Sequence, residues 1–287
     1  MIDAHLHFWD ADHAVHDWPD DVATPLRRGF APADLEPGRK RAGVRSAVLM
    51  QSRNDAAESI HFADLAARNG FIGALVGWVD LTDPDGLDAA LDQLAVCGKL
   101  RGIRHLINFE PDPDWLRQDT VKASIARLAD RALVLDLVPT DDARFDAVLD
   151  AAARHPGLSV VVDHMGRPPV GAPLGAWGAR IRRAASLPNV AIKLSVGLDV
   201  LRGWRWDTDA LRPYADHLLD CFGASRVMAA SNWPVVTAAA PSYEAVWQAL
   251  DALVAGLSLD ERRAVMGRTA ARIFDIRDAG DAWEVMP

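Results

Sequence analysis

Eight short, apolar, β-rich runs recur along this chain, at 2–7, 46–52, 73–81, 100–107, 133–139, 158–165, 190–196 and 226–234. Segments with helical spacing separate most of them. Val121, Ile125, Leu128 and Ala129 make one apolar stripe, and Leu87, Ala90, Leu91 and Leu94 make another. Leu211, Ala215, Leu218, Leu219 and Phe222 form a third, and Ala245, Val246, Ala249, Leu250 and Leu253 a fourth. Strands separated by helices pair in parallel, because a parallel neighbour needs a crossover connection. Eight such units predict a single α/β domain over 1–287, a (β/α)8 barrel of the TIM type. A closing C-terminal helix is expected over 259–274, with Ser258 and Glu261 at capping-box spacing. A doubly wound open sheet would need a glycine-rich turn after an early strand to hold a nucleotide phosphate, and the sequence has none. The stretch 10–37, rich in Pro, Asp and Trp, reads as a long first β-to-α loop and a candidate wall or lid.

Composition narrows the function. The formal net charge of −9 is spread without a basic block, which argues against a nucleic-acid partner. Cys97 and Cys221 lie far apart with no metal-type spacing, so they fit a reducing compartment and give no disulfide framework. The N-terminus lacks a basic segment followed by an apolar run, and no uninterrupted apolar stretch approaches the ~18 residues of a membrane span. These features predict a soluble, cytoplasmic protein with no membrane partner and its oligomeric state open.

In such a barrel, chemistry belongs at the C-terminal ends of the strands. There the first run ends in His5-Leu6-His7, whose imidazoles share a face one pleat apart and can hold one divalent metal or orient one substrate. Gln51 and Arg53 share a face at the end of the second run and suit substrate oxygens. Arg104 and His105 end the fourth, and strand alternation lets only one of them face the lumen. His164 follows the sixth run and precedes a glycine that opens a turn; Asp163, on the opposite face of a regular strand, reads as structural. Lys193 on the seventh run is a buried ammonium that needs a partner or a substrate anion. Asn232 lies in Ser231-Asn232-Trp233-Pro234 at the end of the eighth. Trp9, Trp78, Trp204, Trp206 and Trp233 can stack on a ring or serve packing.

These stretches resemble the amidohydrolase superfamily, and within it the branch of sugar-lactone hydrolases of the fuconolactonase and rhamnonolactonase type. The resemblance rests on an ordered set covering nearly the whole chain: Asp3-Ala4-His5-Leu6-His7-Phe8-Trp9, Gly77-Trp78-Val79-Asp80-Leu81 and Leu100-Arg101-Gly102-Ile103-Arg104-His105. Val162-Asp163-His164-Met165-Gly166-Arg167-Pro168, Ile192-Lys193-Leu194-Ser195 and Ser231-Asn232-Trp233-Pro234-Val235 complete it. It implies a (β/α)8 barrel that opens a lactone by attack of activated water, with a small lactone or hydroxy acid as ligand. His5 and His7 match the family's first-strand pair and His164 its sixth-strand histidine, so the implied catalytic set is Asn232, His164, His5 and His7. Arg104, His105, Gln51, Arg53, Lys193 and Trp9 are the implied substrate contacts. Relatives include metal-dependent and metal-free enzymes, so one divalent metal such as zinc, held by His5 and His7, and a metal-free site are equally open.

One departure stands out. The family usually carries Asp where this chain has Asn232, and an amide cannot accept a proton at neutral pH. The chain is then an Asp→Asn variant, a subgroup with another base such as His164 or His5, or a barrel that binds a sugar acid or lactone without turning it over. A decarboxylase of an aromatic or muconate-like acid, from the same family group, is the alternative enzyme.

Overall fold

The computed structural model describes residues 1–10, 26–197, 207–240 and 242–277. All eight expected strands form: β1 (Ile2–Leu6), β2 (Ser46–Met50), β3 (Ile72–Gly77), β4 (Leu100–His105), β5 (Val134–Leu137), β6 (Val160–Val162), β7 (Val190–Leu194) and β8 (Val227–Ala229). They pair in parallel in sequence order as one sheet. A bridge between Leu6 and Trp233 joins the ends, with His7 N–H donating to the Trp233 carbonyl (2.7 Å) and Asn232 N–H to that of His5 (2.9 Å). The result is a (β/α)8 barrel.

The strands are rich in Val, Ile and Leu because both faces of a parallel sheet are covered. Their outward residues pack under helices α1 (Pro32–Arg41), α2 (Ala56–Arg68), α3 (Leu87–Ala95), α4 (Asp119–Asp130), α5 (Asp142–Arg154), α6 (Gly175–Ala185), α7 (Thr208–Phe222) and α8 (Tyr243–Leu253). The expected stripes are the buried faces, as with Val121, Ile125 and Leu128 on α4. Asp55, Asp141, Asp207 and Ser242 cap α2, α5, α7 and α8 by accepting from first-turn backbone N–H groups. Among the described residues, no helix is long and apolar enough to cross a membrane. Most of the expected first loop, along with Trp204 and Trp206, lies outside the described residues.

Two features depart from regular alternation and place the site. In β1, Ile2 and Asp3 pair with Ser46 and Ala47, but Leu6 pairs with Leu49, so one extra residue is inserted between them. That bulge lets Ile2 and Ala4 face the barrel interior while His5 and His7 beyond it also turn inward. Asp3 faces the other way and locks the seam: its buried carboxylate accepts from Ser231 N (2.9 Å), Ser231 Oγ (2.5 Å), His5 N (3.1 Å) and Tyr243 OH (2.9 Å).

The expected closing helix is broken. Leu259–Arg263 and Thr269–Ile273 are α-helical, but a π turn at Ala264–Arg268 separates them, where Gly267 leaves the helical backbone region. The break redirects the chain under the barrel floor. Ala270, Phe274 and Ile276 join Ile2, Val48, Ala74, Val134, Val161 and Met228 in the interior cluster, and Phe274 is fully buried. Removing that ring should leave a void that the strands cannot fill. Phe274→Ala should therefore cost about 3 kcal/mol in urea unfolding; a shift below ~1 kcal/mol would mean the segment does not plug the floor.

Candidate active site

Above this floor, side chains from β1 and from β4 to β8 meet in one buried polar cluster. Asp163 is its centre. Its Oδ2 accepts from Arg104 Nε (2.8 Å), and its Oδ1 lies 2.9 Å from Lys193 Nζ and 3.2 Å from His5 Nδ1. Lys193 Nζ also donates to Asp136 Oδ2 (2.6 Å), and Arg104 Nε lies 3.6 Å from Asp136 Oδ1. Asp136, Asp163, Lys193 and His5 are fully buried, and Arg104 is 4% exposed.

His7 Nδ1 donates to the Met50 carbonyl (3.0 Å), which directs its Nε2 toward His5 Nε2 at 2.9 Å. His164 lies beside them, its ring centroid 4.7 Å from that of His5 and its Nδ1 2.9 Å from Ser195 Oγ. Asn232 Nδ2 donates to the Val196 carbonyl (2.8 Å). A carbonyl only accepts, so the amide nitrogen faces it and Oδ1 points away, buried with no partner among the described residues.

The expectation that Asp163 faces away from His164 does not hold, because the strand does not stay regular. β6 ends at Val162, and His164 and Met165 take left-handed backbone conformations (φ 52° and 54°). The chain folds back there, and the side chains of Asp163 and His164 both reach the cluster. Asn232 is likewise left-handed (φ 56°).

Of the fourth-strand pair, Arg104 faces inward and His105 outward. His105 stacks on Trp115 with centroids 4.0 Å apart, accepts from Trp78 Nε1 at Nδ1 (3.0 Å), and holds Glu110 through Nε2 (2.7 Å). That arrangement ties the loops after β3 and β4 together behind the site. Gln51 Nε2 donates to the Arg104 carbonyl (3.2 Å), and Arg104 Nη1 returns a bond to the Gln51 carbonyl (3.1 Å), so Gln51 braces the guanidinium. Arg53 lies outside the cluster, between Asp55 (3.5 Å) and Glu58 (3.6 Å). Trp9 packs edge-on against Phe30 and donates to the Arg28 carbonyl (2.8 Å). Trp233 packs on Phe8 and Phe30. Both tryptophans belong to the aromatic layer behind β1.

Asp136 was not singled out in the sequence; its signal is a lone carboxylate inside the apolar Leu133-Val134-Leu135-Asp136-Leu137 run. Burial, followed by the charge of Asp163, pushes the Asp136 carboxyl up to about 8. Burial would also raise Asp163, but the Lys193 ammonium and the Arg104 guanidinium outweigh it and hold that carboxyl well below the usual range. Burial lowers all three imidazoles, His5 and His7 well below the ordinary histidine value and His164 to about 3. The cluster thus holds neutral rings beside an ionised carboxylate and two cations. For a metal ion, His5, Asp163 and His164 offer ligand atoms within 4.8 Å of one another.

Residues 2–276 match the family model described as amidohydrolase. The chain belongs to the amidohydrolase family. This amidohydrolase is 36% identical over 235 residues to an L-fucono-1,5-lactonase of Burkholderia ambifaria, covering 82% of this chain and 80% of the relative. It is 32% identical over 294 residues to an L-fucono-1,5-lactonase of Burkholderia multivorans, covering 98% of both. A crystal structure of an amidohydrolase from Burkholderia multivorans with bound zinc superposes with a TM-score of 0.85 at 31% identity, covering 96% of this chain and 99% of that one.

The depressed His164 has a thermodynamic consequence. An unfolded histidine protonates near its ordinary value of 6.5, whereas His164 in the fold stays neutral down to about 3. As pH falls through that window the unfolded chain takes up the proton first, so the fold loses stability. The stability of the wild type relative to His164→Gln should therefore fall by about 2 kcal/mol between roughly pH 7.5 and pH 4.5. Thermal unfolding of both proteins across that range reads it; a constant difference would mean that His164 takes up its proton in the fold as readily as in the unfolded chain.

Proposed function

We propose that this amidohydrolase opens the ring of a sugar lactone to the hydroxy acid. The L-fucono-1,5-lactonase relatives support the reaction class. The observation that carries the mechanism is which groups keep spare hydrogen-bonding capacity. Among the described residues, Arg104 Nη2 and His164 Nε2 have no protein partner, and the Oδ1 of Asn232 and the Oε1 of Gln51 are buried and unpaired. A cationic donor can stabilise an oxyanion, a ring nitrogen can take a proton from water, and the amide oxygens can orient water and hydroxyl groups.

With Nδ1–H donating to Ser195 Oγ, His164 presents a lone pair at Nε2. Water attacks the lactone carbonyl carbon and passes its proton to that nitrogen, while Arg104 Nη2 stabilises the oxyanion. Collapse of the tetrahedral carbon breaks the ring C–O bond, and His164 returns the proton to the departing ring oxygen. The strongly lowered His164 is a weak base at rest, and the negative charge that develops beside it raises its basicity as the proton moves. Asn232 Oδ1 accepts from the attacking water and Gln51 Oε1 from a ring hydroxyl. In this mechanism Asn232 is an orienting group and His164 the base.

The donor set also fits one divalent cation, because His5, Asp163 and His164 offer ligand atoms within 4.8 Å of one another and His7 Nε2 lies 2.9 Å from His5 Nε2. A bound zinc-like ion would lower the pKa of a coordinated water. His5, His7, Asp163 and His164 are the residues that would hold it.

Proton release from a panel of sugar lactones tests this reading. The wild type should turn over at least one lactone no more slowly than Asn232→Asp. His164→Ala should lose about 10²–10⁴-fold in rate, the usual worth of a general base. Activity only in Asn232→Asp would make position 232 the base and the wild type a ligand-binding barrel. Carbon dioxide release from an aromatic acid without lactone opening would overturn the reaction class.

A further inference from the structure

β4 outruns its neighbour. The pairing of β3 with β4 ends at Gly77 and Ile103, just before Arg104. There the chain leaves β3, and Trp78 N–H donates to Ser59 Oγ on α2 (2.7 Å) instead of to β4. The last backbone groups of β4 are buried, and buried backbone groups need partners. Two side-chain amides from the loop after β2 supply them. Gln51 Nε2 donates to the Arg104 carbonyl (3.2 Å). Asn54 Oδ1 accepts from Leu106 N–H (2.9 Å), and Asn54 Nδ2 donates to the Leu106 carbonyl (3.4 Å). The two amides also join each other, Gln51 Nε2 donating to Asn54 Oδ1 (3.3 Å).

Backbone groups fix both amide orientations. A carbonyl only accepts, so Gln51 must turn its NH2 to Arg104; an N–H only donates, so Asn54 must turn its oxygen to Leu106. The loop that carries Asn54 is itself held. Glu58 accepts from Ser52 N–H (2.8 Å) and Arg53 N–H (3.0 Å), and Asp55 caps α2. The Arg104 guanidinium completes the ring, Nη1 donating to the Gln51 carbonyl (3.1 Å) and Nε to Asp163 Oδ2 (2.8 Å). With the end of β4 and two guanidinium nitrogens fixed, the direction of Nη2 is fixed as well.

We propose that Asn54 is a positioning residue for Arg104. Together with Gln51 it stands in for the missing length of β3, pins the end of β4, and holds the guanidinium where its Nη2 meets the developing oxyanion. The proposal rests on the role given to Arg104 in lactone opening. Asn54 acts through Gln51 rather than on the reacting atoms. Electrostatic stabilisation of a transition state depends on donors being held in place beforehand, and a misplacement of about 1 Å can cost about 10²-fold in rate. Loosening the clamp should therefore slow the chemical step and leave binding largely intact.

Lactone turnover and NMR test this together. Asn54→Leu should lower kcat by about 10–100-fold with KM changed less than about 3-fold. Asn54→Asp keeps an oxygen for Leu106 and Gln51 and should stay within about 5-fold of the wild type. In a Gln51→Met background, Asn54→Leu should cost less than about 3-fold more, because residues acting through one another are not additive. Full, independent losses from the two substitutions overturn the proposal. The substrate-free readout is the Nε–H nitrogen-15 signal of Arg104, assigned by its loss in Arg104→Lys. In Asn54→Leu it should shift and exchange with solvent at least about 10-fold faster than in the wild type, and in Asn54→Asp it should not. An unmoved signal in folded Asn54→Leu overturns the proposal whether or not a lactone is opened; absence of lactone opening with a shifted signal sinks only the reaction assigned above. If Asn54→Leu does not fold, Gln51→Met breaks the same clamp, and an unmoved Arg104 signal there overturns the proposal equally.

Discussion

The arrangement of the site depends on the Asp163 carboxylate. It is fully buried and ionised, and an ion out of water is tolerated only where counter-charges and donors surround it. Those partners come from three other strands, Arg104 from β4, Lys193 from β7 and His5 from β1. The carboxylate therefore sets where each of these side chains sits across the barrel. Buried ion pairs add little net stability compared with a well-packed apolar core, because desolvation offsets the attraction. What this one supplies is placement: it fixes a guanidinium and an imidazole beside His164 on a scaffold that is otherwise aliphatic.

Delivering so many polar groups to one place strains the geometry of a strand, which shows only alternate residues to the lumen. The barrel meets this with local irregularity. The extra residue in β1 changes the phase of alternation between Ala4 and His5, and left-handed backbone at His164 and Asn232 turns the chain back over the site. Such conformations cost free energy in non-glycine residues and persist only where the surroundings hold them. At the β1–β8 seam the hold is Asp3, which gathers Ser231, Tyr243 and the His5 amide around one carboxylate.

The fold was legible because it rests on repetition. Eight apolar runs and the helical stripes between them carry a periodic signal that burial on both sheet faces makes strong. The strand ends were less so. The runs at 158–165 and 226–234 stop earlier, at Val162 and Ala229, because the residues that join the polar cluster leave the strand. Alternation correctly separated Arg104 from His105, which stand on a regular strand, and misplaced Asp163, which does not. Asp136 was hidden for a different reason. A single carboxylate in a strand takes its meaning from Lys193, 57 residues away, and no local pattern encodes that pairing. Arg53 and Trp9 lie beside the expected face but find partners in Glu58 and the Arg28 carbonyl, contacts set by loop packing.

The sealed floor has a consequence for traffic. Phe274, Ala270 and Ile276 fill the end of the barrel opposite the strand termini, and the interior above them is aliphatic up to Lys193, whose ammonium lies 5.7 Å from the Phe274 ring. Among the described residues, that end is closed. Exchange through the described part of the barrel is therefore left to the side where the strands end, and what arrives and what departs use the same end of the barrel.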